Sequence, residues 1–579
     1  MEDVCEKHWV VKKKPDKKEV DLLSKAINVN PFLATLLIQR GINSFDLAKN
    51  YFRPSLAHLH DPFLMKDMEV AVNRLSLAIT QKQKILIYGD YDVDGSCSVA
   101  LVYSFLSSIY SNLLYYIPDR YKEGYGVSKD GIDYAFNEGV SLIISLDCGI
   151  RAVEKVAYAK EKGIDFIICD HHLPAAQTPN AIAVLDPKQE ECGYPFKELC
   201  GCGVGFKLLQ AYCQTTKIPF EQLCHYLDYV AIATASDIVP LVDENRAFCA
   251  LGLAKINNDP LNGIKAIIDV CGFKKTLTIS NIVFGIGPRI NAAGRLKHAH
   301  FAVELLIEQN KEVAEEKAYQ INHNNLDRRD LDKQITDEAL LMIQNDHEAA
   351  QSKSTVLFKK DWHKGIIGIV ASRCIERYYK PTIILTASNG NAVGSARSVD
   401  GYDVYKAIDA CSDILIQFGG HKYAAGLTMD IDKVDEFRKR FEQAVASTIT
   451  HEQLVQKIKI DIVVSLSYLT ERFYLILNQM APFGPANMTP VFLAKAVKVY
   501  GVSRLLKEEH VKFSVKQDDS SLFDCIGFGM KEFFPLLEEN ALLDICFTLD
   551  MNEWQGRRNL QLMLKDIRPH NSAAINVES

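Results

Sequence analysis

Apolar residues fall along this chain in two rhythms. From about Gln83, short β-rich runs alternate with helical stretches: KILIY (84–88), SLIIS (141–145), DFIIC (165–169) and AIAVL (181–185). Such alternation predicts a parallel sheet covered by helices, an α/β fold. Each run is followed by an aspartate at or just beyond the strand end: Asp90, Asp147, Asp170 and Asp186. Open parallel sheets bind ligands outside the carboxyl ends of their strands, so these carboxylates share one rim. Upstream, residues 1–70 read as a helical lead-in punctuated by Pro54 and Pro62. Residues 71–300 hold the α/β pattern, and 301–353 contain neither Gly nor Pro, with Leu331, Ile335, Ala339 and Met342 at helical spacing. That stretch predicts one or two long polar helices bridging two domains. A second α/β region follows at 354–450. Residues 455–570 turn to short alternating strands such as VKFSVKQ and LLDICFTLDM, the pattern of a small barrel with the OB-fold as its candidate.

Composition adds limits rather than an answer. A chain of 579 residues is too long for one core. The N-terminus MEDVCEKHWVVKKKPDKKE lacks the apolar core of a secretory signal, and no run is long enough to span a bilayer, so a cytoplasmic location is expected. The 15 cysteines are scattered, several (Cys148, Cys169, Cys271) in apolar segments where they behave as small hydrophobes. Cys192, Cys200 and Cys202 lack the partner spacing of a zinc site. The net charge of −7 does not favour a nucleic-acid partner, but carboxylates that hold cations would contribute to it.

ILIYGDYDVDGSCS (85–98) places Asp90, Asp92 and Asp94 at alternating positions after a strand. It then offers glycine and small residues able to start a helix. Carboxylates so placed hold hard divalent cations. A calcium loop is excluded, because position 12 counted from Asp90 is Leu101 rather than glutamate. SLDCGI then supplies Asp147, ICDHHLP supplies Asp170, His171 and His172, and AIATASDIVPL supplies Asp237. GCGVGFKLL (201–209) resembles part of a nucleotide-binding glycine loop but lacks its spacing, and reads as a close-packed turn opening a helix.

GDYDVDG, SLDCGI, DHH and ATASDIVPL match, in order, the four motifs of the DHH phosphoesterase superfamily, which this chain resembles. The resemblance implies one metal held by Asp92 and Asp147. A second would be held by Asp94, Asp147, His171 and Asp237, with Asp147 bridging. His172 would face the scissile phosphate and Asp170 would orient the histidine pair. Many members carry a metal-binding histidine four residues before the first ligand aspartate. Tyr88 stands there in this chain, leaving Asp90 or water to complete the first shell. Carboxylates with a single imidazole suit Mn2+ or Mg2+ better than zinc. Two such ions activate a nucleophile and stabilise both oxygens of an in-line displacement.

Later segments narrow the substrate. IPDRYKEGYGVS, GIGPRINAAGRL, DWHKGIIGIVASR, VGSARSVDG, GGHKYAAG, APFGPANMTPVF and NEWQGRRNLQLMLKDIRP are similar to the RecJ exonucleases, over residues 50 to 570. The implied fold is a parallel-sheet DHH domain plus a second α/β DHH-associated domain, joined by long helices and followed by a C-terminal OB-fold barrel. Ser395, Arg397 and His421 would hold a terminal 5′ phosphate, and Arg120, Tyr125 and Arg295 would follow the strand. Arg289 and Asn291 join this DNA-binding set, although GPRINAAGR reads equally as a structural loop with its arginine in a surface ion pair. In the barrel, Trp554, Arg557 and Arg558 are candidates for the strand, with Trp554 equally a core residue. The implied activity is a 5′-to-3′ exonuclease of single-stranded DNA that releases 5′ mononucleotides in recombination and repair. It would act as a monomer beside a helicase and a single-strand-binding protein. Alternatives are a phosphodiesterase of short oligonucleotides or cyclic dinucleotides, and a non-catalytic replication accessory protein of the same fold.

Overall fold

The computed structural model describes residues 7–120, 122–296, 300–346, 348, 351–554, 556–571 and 576–577, and the chain forms two compact units. The first 45 residues belong with 328–479 and 489–579, while residues 46–327 and 480–488 make the other unit. The division interrupts the long helix Lys311–Asn345, the bridging helix expected from its lack of Gly and Pro.

The first described element is a strand, β1 (His8–Val11), which the reading of 1–70 as a helical lead-in did not include; helices follow at Lys17–Ile27, Pro31–Ile38 and Phe45–Phe52. The unit of residues 46–327 is built on β2 (Lys84–Gly89), β3 (Leu113–Tyr116), β4 (Val140–Leu146), β5 (Asp165–Cys169) and β6 (Ala183–Leu185). These form one parallel sheet ordered β3-β2-β4-β5-β6. Successive residues of a strand point to opposite faces. Ile85 and Ile87 accordingly pack with helices Met68–Thr80, Val93–Ser107 and Gly201–Thr216. Leu86 and Tyr88 pack with helices Lys129–Asn137 and Val153–Glu161 on the other face. Both faces are covered, which is why the strands read as continuous apolar runs. The edge strand β3 is short, and only Leu113 in it is buried, so its pattern gave no comparable signal.

The other unit holds β7 (Thr355–Phe358), β8 (Thr382–Ser388), β9 (Asn391–Arg397), β10 (Gln417–His421) and β11 (Ala424–Asp430), a mixed sheet ordered β10-β11-β9-β8-β7. It continues with β12 (Lys457–Ile460), β13 (Ile462–Val463), β14 (Phe492–Leu506), β15 (His510–Lys516), β16 (Phe523–Gly527), β17 (Leu542–Trp554), β18 (Arg557–Pro569) and β19 (Asn576–Val577). The order β14-β15-β16-β18-β17 closes through β14–β17 pairing into the expected barrel. β1 lies parallel between β12 and β19. Its Trp9 is buried, donates from Nε1 to Asp566 Oδ2 at 2.7 Å, and has the Arg568 guanidinium 4.2 Å from its ring.

One sequence boundary moves. Met480–Met488, counted above with the barrel, packs in the unit of residues 46–327. Tyr51 Oη donates to Asn487 Oδ1 at 2.8 Å, Leu241 N to Pro485 O at 2.8 Å, and the Arg246 guanidinium to the Met480 and Ala481 carbonyls. Cys148 and Cys169 are buried, Cys271 is half-buried, and all three are free thiols.

Candidate active site

The rim expected at the strand ends is present, because β2, β4, β5 and β6 each stop one residue before Asp90, Asp147, Asp170 and Asp186. Asp92 caps the helix Val93–Ser107 by accepting from Gly95 N at 3.0 Å. A side chain at Gly95 would meet the Asp90 carbonyl at 2.3 Å, so this turn closes only on glycine. Asp94, in the first turn of that helix, is buried; its oxygens accept from Gly201 N at 2.6 Å and Cys202 N at 2.8 Å. The glycine segment dismissed as a nucleotide loop does open a helix, and its first amides hold Asp94. A Cβ on Gly201 would fall 2.5 Å from the Asp147 Cβ. No local sequence signal ties residue 201 to residue 94.

Three carboxylates converge on one imidazole nitrogen. His171 Nε2 lies 3.1 Å from Asp147 Oδ1, 3.6 Å from Asp237 Oδ2 and 3.9 Å from Asp94 Oδ2. Asp237 arrives from the end of the helix Leu227–Ser236. Both His171 ring nitrogens, Asp237 Oδ2 and Asp90 Oδ2 are buried and, among the described residues, without a hydrogen-bond partner. Burial, then the Asp92 charge, raises Asp94 to about 6. Burial and then Asp94 push Asp147 and Asp237 well above the carboxylate range. Burial, and then His172, lowers His171 to about 3. A neutral imidazole surrounded by mutually repelling buried carboxylates is a donor set that fits hard divalent cations.

Asp170 is arranged differently. Burial opposes its charge, yet the hydrogen bond with His172 Nδ1 at 2.7 Å and the amides of Ile150 and His171 hold it down at about 2. Its Oδ1 accepts from both histidine amides and meets the His172 ring. Asp90 is fully buried, with Oδ1 accepting weakly from Gly126 N at 3.4 Å, and burial followed by the Asp92 charge raises its pKa. Tyr88 is a core residue bonded to the Gly126 carbonyl at 3.1 Å. The groupings that could hold a metal, among the described residues, are Asp94 with His171 and Asp237, and Asp147 with the two histidines; Asp90 and Asp92 fall outside both.

The remaining candidates divide. The Arg120 guanidinium lies 4.9 Å from the Tyr91 ring, beside the rim. Tyr125 Oη approaches His172 Nε2 at 3.1 Å and the Asp147 carbonyl at 3.2 Å. GPRINAAGR is helical (Gly287–Leu296) rather than a loop. Arg289 donates to Asn322 Oδ1 at 3.0 Å and the Gly285 carbonyl at 2.8 Å, and among the described residues it forms no ion pair. Asn291 lies half-buried on the same helix, and the side chains of Arg295 and Trp554 lie outside the described residues. Arg558 pairs with Glu553 at 3.5 Å.

In the other unit, register aligns Arg397 with Ala424 and Ala424 with His421, and Ser395 with Gly426 and Gly426 with Gly419. All six share one face of the sheet. A side chain at Gly419 would meet nothing within 4 Å, so the ground between the polar groups is bare backbone. Arg397 donates to Ser395 Oγ at 3.0 Å. A Cβ on Gly368, at the start of the helix Ile367–Tyr378, would lie 2.9 Å from both side chains.

Comparison with known proteins agrees with this architecture. The family model for the DHH family, N-terminal domain, matches residues 84–234, that for the DHHA1 domain residues 351–447, and that for the RecJ OB domain residues 460–566. The single-stranded-DNA-specific exonuclease RecJ of Bacillus subtilis is 36% identical over 96% of this chain and 70% of that protein. Its counterpart in Escherichia coli is 31% identical over 93% of this chain and 96% of that protein. The crystal structure of RecJ in complex with Mn2+ from Thermus thermophilus matches with a TM-score of 0.85 and 26% identity, over 98% of this chain and 80% of that one. Among the described residues no helix is long and apolar enough to cross a membrane. The chain belongs to the RecJ family of single-stranded-DNA-specific exonucleases.

Proposed function

We propose that this protein hydrolyses single-stranded DNA from its 5′ end and releases 5′ mononucleotides, using two divalent cations held by Asp92, Asp94, Asp147, His171 and Asp237, with Asp90 beside the first. The observation that carries the reading is the convergence of three buried carboxylates on His171 Nε2 within 3.9 Å. Mn2+ or Mg2+ bound there supplies Lewis acidity for an in-line displacement at phosphorus. His172, held at Nδ1 by Asp170, faces the phosphate and donates an N–H to its oxygens. Arg120 stands beside the rim to meet the strand's phosphates.

Direction is assigned to the other unit. Ser395, Arg397 and His421 surround bare backbone near the first turn of a helix, a setting that favours an anion, and a guanidinium reads a terminal phosphate through two bonds. The barrel grips the strand farther along. Lys498 faces Lys516 and Arg504 faces Lys512 across β14 and β15, like charges that cost stability unless phosphates neutralise them. Tyr500, 58% exposed between these pairs, offers a stacking surface. A nuclease confined to single strands needs them opened, so a helicase and a single-strand-binding protein are its expected cytoplasmic partners.

The test is a timed digest of end-labelled single-stranded and duplex DNA by chelator-treated protein, with and without added Mn2+ or Mg2+. Restored cleavage of the single strand alone supports the reading; cleavage without metal, or equal cleavage of duplex, contradicts it.

A further inference from the structure

Tyr125 sits between Gly124 and Gly126, whose φ angles of +85° and +78° lie in the region that glycine favours. The loop is pinned from beneath. Tyr88 Oη donates to the Gly126 carbonyl at 3.1 Å and accepts from Ser128 N at 3.1 Å, while Gly126 N reaches Asp90 Oδ1 at 3.4 Å. Tyr88 itself is fully buried and stacks on Tyr116, with ring centroids 5.4 Å apart. The residue standing where many superfamily members carry a metal-binding histidine therefore anchors this loop instead.

What the loop presents is specific. The Tyr125 hydroxyl lies 3.1 Å from His172 Nε2 and 3.2 Å from the Asp147 carbonyl, and His172 Nδ1 lies 2.7 Å from Asp170 Oδ1. Both ring nitrogens of His172 are thus engaged, one by a buried carboxylate and the other by a hydroxyl tied to the backbone of Asp147. The Tyr125 ring is supported edge to face by His172 at 5.9 Å and by Tyr91 at 6.1 Å, yet the residue remains 55% exposed. A tyrosine serving only as a strand contact would have no need of this hydroxyl geometry.

We propose that Tyr125 is a positioning residue: its hydroxyl fixes the His172 imidazole relative to Asp147, and Tyr88 fixes the loop that carries it. The inference rests on the reading of His172 as the group that faces the phosphate. An imidazole held at one nitrogen can still rotate about its Cβ–Cγ bond; a second contact removes that freedom before substrate arrives.

Steady-state kinetics on a short 5′-phosphorylated oligonucleotide, with full-length protein and saturating Mn2+, test it. Tyr125→Phe keeps the ring and deletes the hydroxyl, and kcat should fall roughly 10- to 100-fold with KM changed by less than about twofold. The Tyr125→Phe/Asp170→Asn double variant should lose less than the product of the two single losses, because both act on one ring. The His172 Nε2 resonance of 15N-labelled protein should also shift in Tyr125→Phe. Tyr88→Phe should repeat the kcat effect; should it fail to fold, Tyr125→Phe, altered at an exposed side chain, carries the test alone. A rise in KM at constant kcat, or strictly multiplicative losses, overturns the inference and leaves Tyr125 a strand contact. Wild-type protein unable to cleave single strands would overturn the functional reading and this inference with it.

Discussion

Asp147 stands at φ +58°, a conformation that costs a non-glycine residue about 1 to 3 kcal/mol and that persists only where its surroundings over-determine it. Those surroundings are Gly201, with no room for a side chain, and the Cys169 carbonyl that accepts from Asp147 N at 2.9 Å. Asp147→Ala should therefore fold but lose more than tenfold in cleavage, with metal stoichiometry reduced in a calorimetric titration. Gly201→Ala, which removes no functional group, should also weaken Mn2+ binding by displacing Asp147; unchanged binding would show that the site tolerates the methyl. The carboxylates also predict a pH effect on the metal-free protein. Asp94 rises from 3.8 unfolded to about 6 folded, so its protonated form favours the fold. That contribution is complete below 3.8 and is lost as pH rises through about 6. Metal-free protein should melt higher at pH 5 than at pH 8, and added Mn2+ should raise Tm most at pH 8. Much of this site was legible in the sequence, because an aspartate just past an apolar run is a local signal. The amides that hold Asp94 were not legible, since they lie at 201 and 202, and neither was the Tyr125–His172 contact. The helix that carries Arg289 was not legible either, because GPRINAAGR holds two glycines and a proline, residues that read as loop.

At the scale of elements, periodicity found what it measures and missed what depends on a distant partner. The buried strands β2, β4, β5 and β6 were visible as apolar runs, and the barrel as alternation. The N-terminal strand HWVV was not, since four residues beside a lysine-rich segment acquire strand character only by pairing with β12, some 450 residues away. This bears on how the barrel is tested. Truncation after about residue 452 would remove the partner of β1 and expose Trp9, so lost function would not isolate a strand grip. Charge substitutions are cleaner. Lys498→Gln/Lys512→Gln should weaken binding of long strands and reduce the slope of log K against log salt by roughly 0.7 for each phosphate no longer neutralised. Turnover of very short oligonucleotides should remain at the wild-type rate. An unchanged slope would exclude this face of the barrel from the DNA path. Trp9→Ala should cost about 3 to 5 kcal/mol in the unfolding of its own unit, measured by denaturant titration.

For the whole molecule, chemistry is proposed to lie in one unit and recognition of the strand's end in the other. Arg397→Ala should lose roughly ten- to a hundredfold in kcat/KM, as expected when charge-assisted bonds of about 1.5 to 3 kcal/mol are removed. The loss should be larger on 5′-phosphorylated than on 5′-hydroxyl strands, and Arg397→Lys should recover only part of it, because lysine restores charge without the planar fork. Equal losses on the two substrates would show that Arg397 does not read the end. The central claim, cleavage of single strands inward from the 5′ terminus, is tested most directly by following one oligonucleotide labelled in parallel at either end. A 5′ label should leave at once as a mononucleotide, while a 3′ label should stay on a ladder that shortens one nucleotide at a time. Early release of the 3′ label, or internal fragments carrying either label, would contradict it.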